Sequence, residues 1–300
     1  MATFSHFSIG IGKCRARLEH ILKLWPLLVV VLVLAFLYGI EVHEVQGISS
    51  KMSNIYEGHA RAAFPDMHVP LSLIHYATTN ITPQQTKEEI MVTAHILNRR
   101  GPCNLLVFGL GHDSLMWQTL NLGGNTVFLE EDPRWIEEMK GMHPSLRSVA
   151  VSYRTRLSQA EELLGYARDE KDGVCSPEAC ADLRESRCES LVMKGLPDEI
   201  YETKWDVIMI DAPRGYFAEA PGRMSAIFSA AVMAMNYDHP HHGAPSYTDI
   251  LLHDVDRHVE KTFSEEFLCK NNLVESVGKL WHFQIHGRSQ HMAHHFCTNT

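Results

Sequence analysis

The sequence predicts an α/β protein with a doubly wound, mostly parallel sheet, preceded by one N-terminal transmembrane helix. The sheet is predicted because short apolar runs alternate with capped helical segments from residue 103 onward, an order typical of parallel βαβ units. The transmembrane helix is predicted from one long uncharged apolar run near the N-terminus. The chain of 300 residues has room for one domain of about 200 residues with appendages, or for two small domains.

The N-terminal apolar run, residues 24–40, contains no charged side chain. As a helix it would be about 26 Å long, close to the ~27 Å hydrocarbon thickness of an early secretory membrane. Basic residues precede it and Glu41 and Glu44 follow it, so the positive-inside bias places the later residues in the lumen. The predicted segments are a cytosolic tail at 1–23, a signal anchor at 24–40 and a stem at 41–70. A cleaved signal peptide and a buried core helix are the competing interpretations.

A globular domain is predicted at 71–286, followed by a disordered C-terminal tail at 287–300. The first helix of the domain is expected to begin after Thr82. Pro83 would lie in its first turn, and Gln85 would complete a capping box.

Five apolar runs are strand candidates, and helical segments separate the first four. Asp132 is expected to cap one helix that runs through Met139 with Gly141 as its C-cap, and Ser158 with Glu161 is expected to form the capping box of another. A shorter helix is expected from Asp113 to Asn121. The strand candidates are NLLVFGL, NTVFLEE, WDVIMIDAP, TDILLHDV and, less strongly patterned, KLWHFQIH.

Glycines and acids follow the first two strand candidates, where a doubly wound sheet binds ligands. Gly109 and Gly111 end the first run, and the absence of a Cβ there would allow a ligand to approach the backbone closely. Glu130 and Glu131 lie 19 and 20 residues after Gly111, a spacing that lets an acid reach ribose hydroxyls. Leu115 replaces the third glycine of the dinucleotide fingerprint, which favours S-adenosylmethionine over a nicotinamide dinucleotide. A tight turn is the structural alternative.

Three ionisable residues end the later strand candidates. Asp211 ends VIMID, and His253 with Asp254 ends ILLHD, so all three are predicted to face the same crevice. Such a group could supply a catalytic base, or it could hold a divalent metal ion. The structural alternative is that Asp211 caps a turn and that His253 is a core residue.

The segment APRGYFAEAPGRM, between these strand candidates, is a loop with repeated Gly and Pro. Loops of this kind often bind substrate, and Arg214, Glu219 and Arg223 are the polar candidates for that role. An arginine here could bind a carboxylate through two hydrogen bonds. A solvated loop is the alternative interpretation.

The formal net charge of −9 argues against a nucleic-acid-binding protein, and the sequence contains no run of five basic residues. If the domain is lumenal, six cysteines lie in an oxidising compartment, and the Cys175 to Cys188 segment is the strongest candidate for a disulfide-closed loop. Asn80 begins a glycosylation sequon, although Pro83 after it lowers its expected use. The His-rich loop at 238–247 and the C-terminal tail are expected to be solvated surface, because three histidines without framing cysteines do not define a zinc site.

Six stretches of the sequence resemble the plant DUF579 family, also called the glucuronoxylan methyltransferase or irregular-xylem-15-like family. The resemblance covers about residues 73–285. The loop from Gly109 to Asp113 and the triplet starting at Asp211 are similar to the enzymatic members, whereas members without demonstrated methyl transfer show FGLTHE and VDGPRGD. The six stretches are HYATTNITPQQT, PCNLLVFGLGHDSLMW, TVFLEED, YETKWDVIMIDAP, GYFAEAPGRMSAIFSAAVMA and LLHDVDRHVEKTFSEEFLC.

The resemblance implies a Rossmann-like S-adenosylmethionine-dependent methyltransferase fold. It also implies methyl transfer to O4 of glucuronic acid groups on wall polysaccharides made in the Golgi, by a single-pass type II membrane protein with a lumenal catalytic domain. RTRLSQAEELL and KLWHF resemble the arabinogalactan branch, so arabinogalactan is the expected acceptor and glucuronoxylan the second. A non-catalytic Golgi role in wall-polysaccharide synthesis is the alternative.

The predicted site therefore has three parts. Because the sulfonium of S-adenosylmethionine already activates the methyl group, the protein mainly has to align the reacting atoms and accept a proton. The cofactor residues are Gly109, Gly111, Asp113, Glu130 and Glu131; the base or metal residues are Asp211, His253 and Asp254; and the acceptor residues are Arg214, Glu219 and Arg223.

Overall fold

The computed structural model describes residues 68–236, 247–287 and 295–297. The predicted cytosolic tail, the signal anchor and nearly all of the stem lie outside these residues, as does most of the His-rich loop. Over the described part of the chain, none of the helices combines the length and the apolar character needed to cross a bilayer. Helix α1, His68–Thr78, includes the last residues of the predicted stem, which are therefore helical.

Seven strands form one sheet in the order β3-β2-β1-β4-β5-β7-β6. The first five strands in this order are parallel, and β7 pairs antiparallel with both β5 and β6. The predicted doubly wound, mostly parallel sheet is confirmed. The strands are β1, Asn104–Phe108; β2, Asn125–Glu130; β3, Ser148–Ala150; β4, Val207–Ile210; β5, Tyr247–Leu252; β6, Leu273–Val277; and β7, Leu280–His286.

Helices cover both faces of this sheet. After α1, they are α2, Lys87–Arg100; α3, Ser114–Leu120; α4, Pro133–Met142; α5, Ala160–Asp169; α6, Asp198–Glu202; α7, Met224–Met235; and α8, His258–Ser264. Leu105 and Val107 of β1 enter a core shared with α2, α3 and α4, whereas Leu106 and Phe108 enter the core shared with α5, α7 and α8. Because successive strand residues point to opposite faces, burial of both faces explains the continuous apolar runs of the sequence.

Helix α2 begins later than predicted, after Thr86 rather than Thr82. The Thr86 hydroxyl accepts a hydrogen bond from Glu89 N (3.3 Å), and the Glu89 carboxylate accepts one from Thr86 N (2.7 Å). The sequence contains two successive capping-box patterns, and the second prevails because Glu89 also accepts from Lys279 N (2.6 Å) and is thereby tied to the β6–β7 turn. Residues 79–86 consequently form a loop.

Two other predicted helix boundaries are wrong. Helix α4 continues through Gly141 to Met142, because Gly141 keeps an ordinary helical backbone and does not form a left-handed C-cap. Ser158 does not cap α5, because it lies within a 3₁₀ turn, Leu157–Gln159, and its backbone N donates to Ala218 O (3.0 Å).

Two disulfides close loops of the domain. One bond joins Cys175 to Cys188, in the segment predicted to be closed by a disulfide, and a second joins Cys269 to Cys297. Phe296 packs against Phe228, with ring centroids 5.1 Å apart. The prediction of a solvated, disordered tail is therefore wrong at 295–297, because a disulfide and aromatic contacts hold this part of the tail against the domain.

Candidate active site

A cleft of about 490 Å³ opens at the carboxyl ends of β1, β2 and β4. The chain connections leave β1 and β4 in opposite directions along the sheet, so this edge is the switch point where doubly wound sheets bind ligands. Its volume is in the range of small-molecule sites. Of the predicted cofactor residues, all five line the cleft, namely Gly109, Gly111, Asp113, Glu130 and Glu131.

The two glycines let the β1 loop pass close to its neighbours. Gly109 has φ +120°, a conformation that other residues rarely adopt, and an added Cβ would lie 3.2 Å from the Ala212 Cβ. A Cβ at Gly111 would lie 2.6 Å from Asp113 Oδ1. Gly109 therefore brings the loops after β1 and β4 together, and Gly111 lets the β1 loop fold closely around the Asp113 side chain.

The two acids at the end of β2 have different surroundings. Glu130 accepts hydrogen bonds from the backbone N of Glu131 and Asp132 (both 2.9 Å) and of Leu110 (3.2 Å). A carboxylate has about four acceptor positions, so one remains for a ligand. Burial, and then the neighbouring charge of Glu130, raise the pKa of Glu131. Glu130 is therefore held in a fixed orientation and is the better placed of the two to accept a ligand hydroxyl.

Asp113 lines the cleft beside the glycine loop. Its Oδ2 accepts a hydrogen bond from Trp117 Nε1 (2.9 Å), which anchors the carboxylate to α3. Burial, and then the charge of Asp211, raise the pKa of Asp113. The two carboxylates therefore influence each other across the cleft.

Asp211 lines the cleft directly after β4. Its Oδ1 lies 3.1 Å from His253 Nδ1 and accepts from Arg223 Nη2 (3.2 Å), and its Oδ2 accepts from Gln85 Nε2 (3.1 Å). Burial alone would raise the pKa of Asp211, but the hydrogen bond with His253 and the charge of Arg223 outweigh it and hold the pKa below its usual range. The carboxylate is therefore ionised and fixed on both oxygens.

Three of the predicted site residues lie behind Asp211 and do not line the cleft, although the sequence predicted that they would face it. They are His253, Asp254 and Arg223. His253 is 4% exposed and Arg223 is 3% exposed. Arg223 donates to His253 O (2.6 Å), to Asp211 O (2.6 Å) and to Asp254 Oδ2 (2.8 Å). Arg223 is therefore a buried support for the loops after β4 and β5, and its predicted contact with the acceptor is wrong.

The predicted metal site does not fit the residues as they are arranged. Asp211, His253 and Asp254 offer ligand atoms within 4.8 Å of one another. However, Nη2 of Arg223 already lies between the two carboxylates, at 3.2 Å from Asp211 Oδ1 and 2.8 Å from Asp254 Oδ2. Because this cation supplies the positive charge that a divalent ion would bring, the cluster is an internally neutralised network.

The loop after β4 places its residues unequally. Arg214 and Tyr216 line the cleft and are exposed, whereas Glu219 is exposed but lies outside the lining. The predicted acceptor role of Glu219 therefore has no support from its position. Arg214 is thus the predicted acceptor residue that the structure does bring to the cleft.

Four residues of this region were not predicted from the sequence. Gln85 holds Asp211, and Glu89 Oε2 lies 3.7 Å from His253 Nε2. Tyr216 and Arg257 line the cleft. The Thr86–Glu89 capping box was readable as a helix start, but the contact of Glu89 with His253 spans 164 positions of chain, which no local pattern reveals.

Comparison with known proteins places this geometry in a family. Among curated proteins, arabinogalactan O-methyltransferase 2 of Arabidopsis thaliana is 52% identical over 71% of both chains. Glucuronoxylan 4-O-methyltransferase 1 of the same plant is 50% identical over 71% of this chain and 72% of its own length. Protein IRREGULAR XYLEM 15, also from Arabidopsis thaliana, is 39% identical over 71% of this chain and 65% of its own length. A sequence profile of the IRX15/IRX15L/GXM family matches residues 88–283, and the chain belongs to that family.

Proposed function

We propose that this chain is an S-adenosylmethionine-dependent O-methyltransferase that methylates O4 of glucuronic acid groups on plant cell-wall polysaccharide. Arabinogalactan is the favoured acceptor and glucuronoxylan the second, in the order of identity to the relatives that carry those names. The observation that carries the proposal is the fixed, ionised Asp211 carboxylate in the switch-point cleft, which the glycine loop and Glu130 also line.

The β1 and β2 side of the cleft fits the cofactor. Glu130 has one open acceptor position for a ribose hydroxyl, and Gly109, at a positive φ, keeps the loop free of a Cβ. Trp135 lines the same side and donates from Nε1 to Leu110 O (2.6 Å), which fixes an aromatic surface suited to a purine ring. When bound, S-adenosylmethionine supplies a methyl group that its sulfonium already activates.

Asp211 accepts the proton of the acceptor hydroxyl. As the hydroxyl oxygen gains its methyl group it becomes positively charged and strongly acidic, so a weak base that is ionised at neutral pH suffices. The hydrogen bonds from Gln85 and Arg223 keep the carboxylate in place while it receives this proton. No metal ion is needed in this step, because Arg223 occupies the space between Asp211 and Asp254.

Arg214 binds the uronate carboxylate. It is exposed on the cleft, and its charge acts on Glu131 without forming an ion pair with it among the described residues, so the guanidinium can pair with a uronate carboxylate. A charge-assisted pair of this kind contributes roughly 1.5–3 kcal/mol, about a ten- to hundredfold effect on acceptor binding.

The test incubates the full chain in detergent with labelled S-adenosylmethionine and, separately, with arabinogalactan, glucuronoxylan and their carboxyl-reduced forms. Label on arabinogalactan above glucuronoxylan supports the proposal as stated, and the reverse order assigns the chain to xylan. Equal labelling of the reduced glycans would overturn recognition of the uronate by Arg214. If no acceptor is labelled while the cofactor binds, the non-catalytic role in wall-polysaccharide synthesis becomes the better explanation.

We also propose that the protein is anchored in the Golgi membrane with this domain in the lumen. The uncharged run at 24–40, the basic residues before it and the two disulfides of the domain support this topology. Protease added to intact microsomes should leave the domain whole, and detergent should expose it. Cleavage of the domain in intact vesicles would contradict the lumenal orientation.

A further inference from the structure

Two aromatic side chains at the mouth of the cleft are exposed to solvent. Tyr216 is 66% exposed and Phe217 is 44% exposed, and the other exposed large hydrophobic residues in the described ranges are aliphatic. Tyr216 lines the cleft, whereas Phe217, its immediate neighbour, does not. An aromatic ring held in water beside a binding site loses the stabilisation that burial would give it, so a ligand that covers it would recover that stabilisation.

The loop that carries Tyr216 is held in place by its backbone. Gly222 N donates to Arg214 O (2.9 Å), and Ala220 N donates to Phe217 O (3.0 Å). A Cβ at Gly215 would lie 2.6 Å from Glu260 Oε1, so the glycine lets the loop pack closely on α8. The exposure of Tyr216 is therefore a fixed feature of the loop.

One face of the Tyr216 ring is already covered. The guanidinium carbon of Arg257 lies 5.9 Å from the ring centroid, and Arg257 is itself fixed by Asp254 Oδ2 (2.9 Å). The Phe217 ring meets Tyr216 edge-on, with centroids 5.1 Å apart. Neither contact buries the ring, since Tyr216 remains 66% exposed and accessible to a ligand in the cleft.

We infer that Tyr216 is a stacking platform for a pyranose ring of the glycan acceptor, two residues along the loop from the arginine that binds the uronate carboxylate. This inference rests on the proposed function and names the part of the site that recognises sugar rather than charge. The face of a pyranose ring presents C–H groups, which gain from contact with an aromatic face once water is removed. A platform of this kind recognises a ring without depending on its carboxylate.

The position of Tyr216 separates this contact from the cofactor. The sheet order puts β2, which ends at Glu130 and is followed by Trp135, on one side of β1, and puts β4 and β5 on the other. Tyr216 follows β4, and its partner Arg257 follows β5. A loss of cofactor affinity on removing Tyr216 would therefore contradict the inference.

The test compares Tyr216→Ala with Phe217→Ala in the full chain, since the two rings share one loop and differ in whether they line the cleft. Tyr216→Ala should raise the KM for a glucuronate-bearing oligosaccharide about three- to tenfold, with an unchanged calorimetric Kd for S-adenosylmethionine. Phe217→Ala should leave both constants unchanged. Tyr216→Phe and Tyr216→Trp should restore the wild-type KM, because they keep an aromatic face.

A carboxyl-reduced oligosaccharide, used as an acceptor, separates the ring contact from the charge contact. The penalty of Tyr216→Ala should persist with this acceptor, whereas the penalty of Arg214→Gln should vanish. Equal KM values for Tyr216→Ala and Phe217→Ala would overturn the inference while leaving the proposed function intact. A wild-type protein that labels no glycan would instead overturn the proposed function.

Discussion

Two histidine–aspartate pairs lie near opposite ends of β5: His253 directly follows this strand, and Asp249 lies within it. His253 Nδ1 lies 3.1 Å from Asp211 Oδ1 at the carboxyl end of the strands, and His282 Nε2 lies 2.7 Å from Asp249 Oδ1 near their amino end. Each pair also has an arginine: Arg223 beside Asp211, and Arg100 with its Nε 3.6 Å from Asp249 Oδ2. The residue types and their partners are nearly the same.

The two pairs differ in what surrounds the carboxylate. Asp249 is fully buried: His282 and Gln284 Nε2 (3.1 Å) both contact its Oδ1, and the Arg100 guanidinium faces its Oδ2, so the carboxylate is closed to a ligand by burial. Asp211 keeps part of its carboxylate on the cleft. The comparison teaches that a buried His–Asp pair with an arginine is not by itself a catalytic signature. Whether such a pair can act on a ligand depends on its place along the strands, because ligands reach a doubly wound sheet at the carboxyl ends.

The same substitution at the two aspartates is the strongest test of this contrast. Asp211→Asn keeps the side-chain shape but removes the proton acceptor, so kcat should fall by about 10²- to 10⁴-fold. Cofactor affinity, measured by calorimetry, should change little, because Asp211 is on the acceptor side. Activity within a factor of a few of the wild type would show that another group accepts the proton.

Asp249→Asn should act on stability instead. It leaves the buried Arg100 and His282 without their shared negative partner, and breaking a buried charge pair costs about 3–5 kcal/mol of unfolding free energy. Urea denaturation measures this loss, and the kcat of the protein that remains folded should match the wild type. A selective loss of kcat with normal stability would mean that the two pairs cannot be told apart by position.

The sequence predicts the frame of the molecule better than its buried contacts. The strands β1, β2, β4, β5 and β7 coincide with apolar runs, because both sheet faces are covered. The short edge strands Ser148–Ala150 and Leu273–Val277 were not predicted, since neither is a buried apolar run. Helix starts failed where two capping patterns compete, as at Thr82 and Thr86, because a tertiary contact of Glu89 decides between them.

The candidate site shows the same limit. Gly109, Gly111 and Glu130 were predictable because strand ends and glycine spacing are local patterns. Arg214 and Arg223 look equivalent in the sequence, yet one is exposed on the cleft and the other is buried among three carbonyl groups. Burial of an arginine depends on how the loops after β4 and β5 pack, and a sequence pattern does not contain that information.

The pH dependence of stability should show a smaller and more specific effect at the pair of His253 and Asp211. Burial lowers the pKa of His253, but the hydrogen bond and charge of Asp211, and then the charge of Asp254, outweigh it and raise the pKa. The stability that protonated His253 contributes is therefore fully present below its unfolded-state pKa of about 6.5, and it is lost as the pH rises through its higher folded-state pKa. The lowered pKa of Asp211 gives stability that is present above about 3.9 and lost as the pH falls through its folded value.

The unfolding free energy of the wild type should therefore include a decline above pH 6.5 that His253→Gln lacks. The groups that set this titration are His253, Asp211, Asp254, Arg223 and Glu89. His258→Gln, at an exposed histidine, is the control and should retain the decline. Parallel curves for the wild type and His253→Gln would contradict a raised pKa at this position.

The smallest expected effect is the difference in stability between two variants at adjacent arginines that contact Asp249. Arg99 and Arg100 both approach Asp249, with Nη2 of Arg99 at 3.8 Å from Oδ1 and Nε of Arg100 at 3.6 Å from Oδ2. The Arg99 side chain is 56% exposed and that of Arg100 is 3% exposed, so water screens the first pair and not the second.

Arg99→Ala should therefore lower the unfolding free energy by about 0.2–1 kcal/mol, with less effect in high salt. Arg100→Ala should cost several times more, because Arg100 also donates to Asp206 O (3.2 Å) and Tyr247 O (3.1 Å) and its removal strands a buried carboxylate. Urea denaturation of both variants at low and high salt checks the difference. Equal losses of unfolding free energy would mean that exposure does not set the strength of the charge contacts around Asp249. The contrast between the two histidine–aspartate pairs would then need a cause other than access to water.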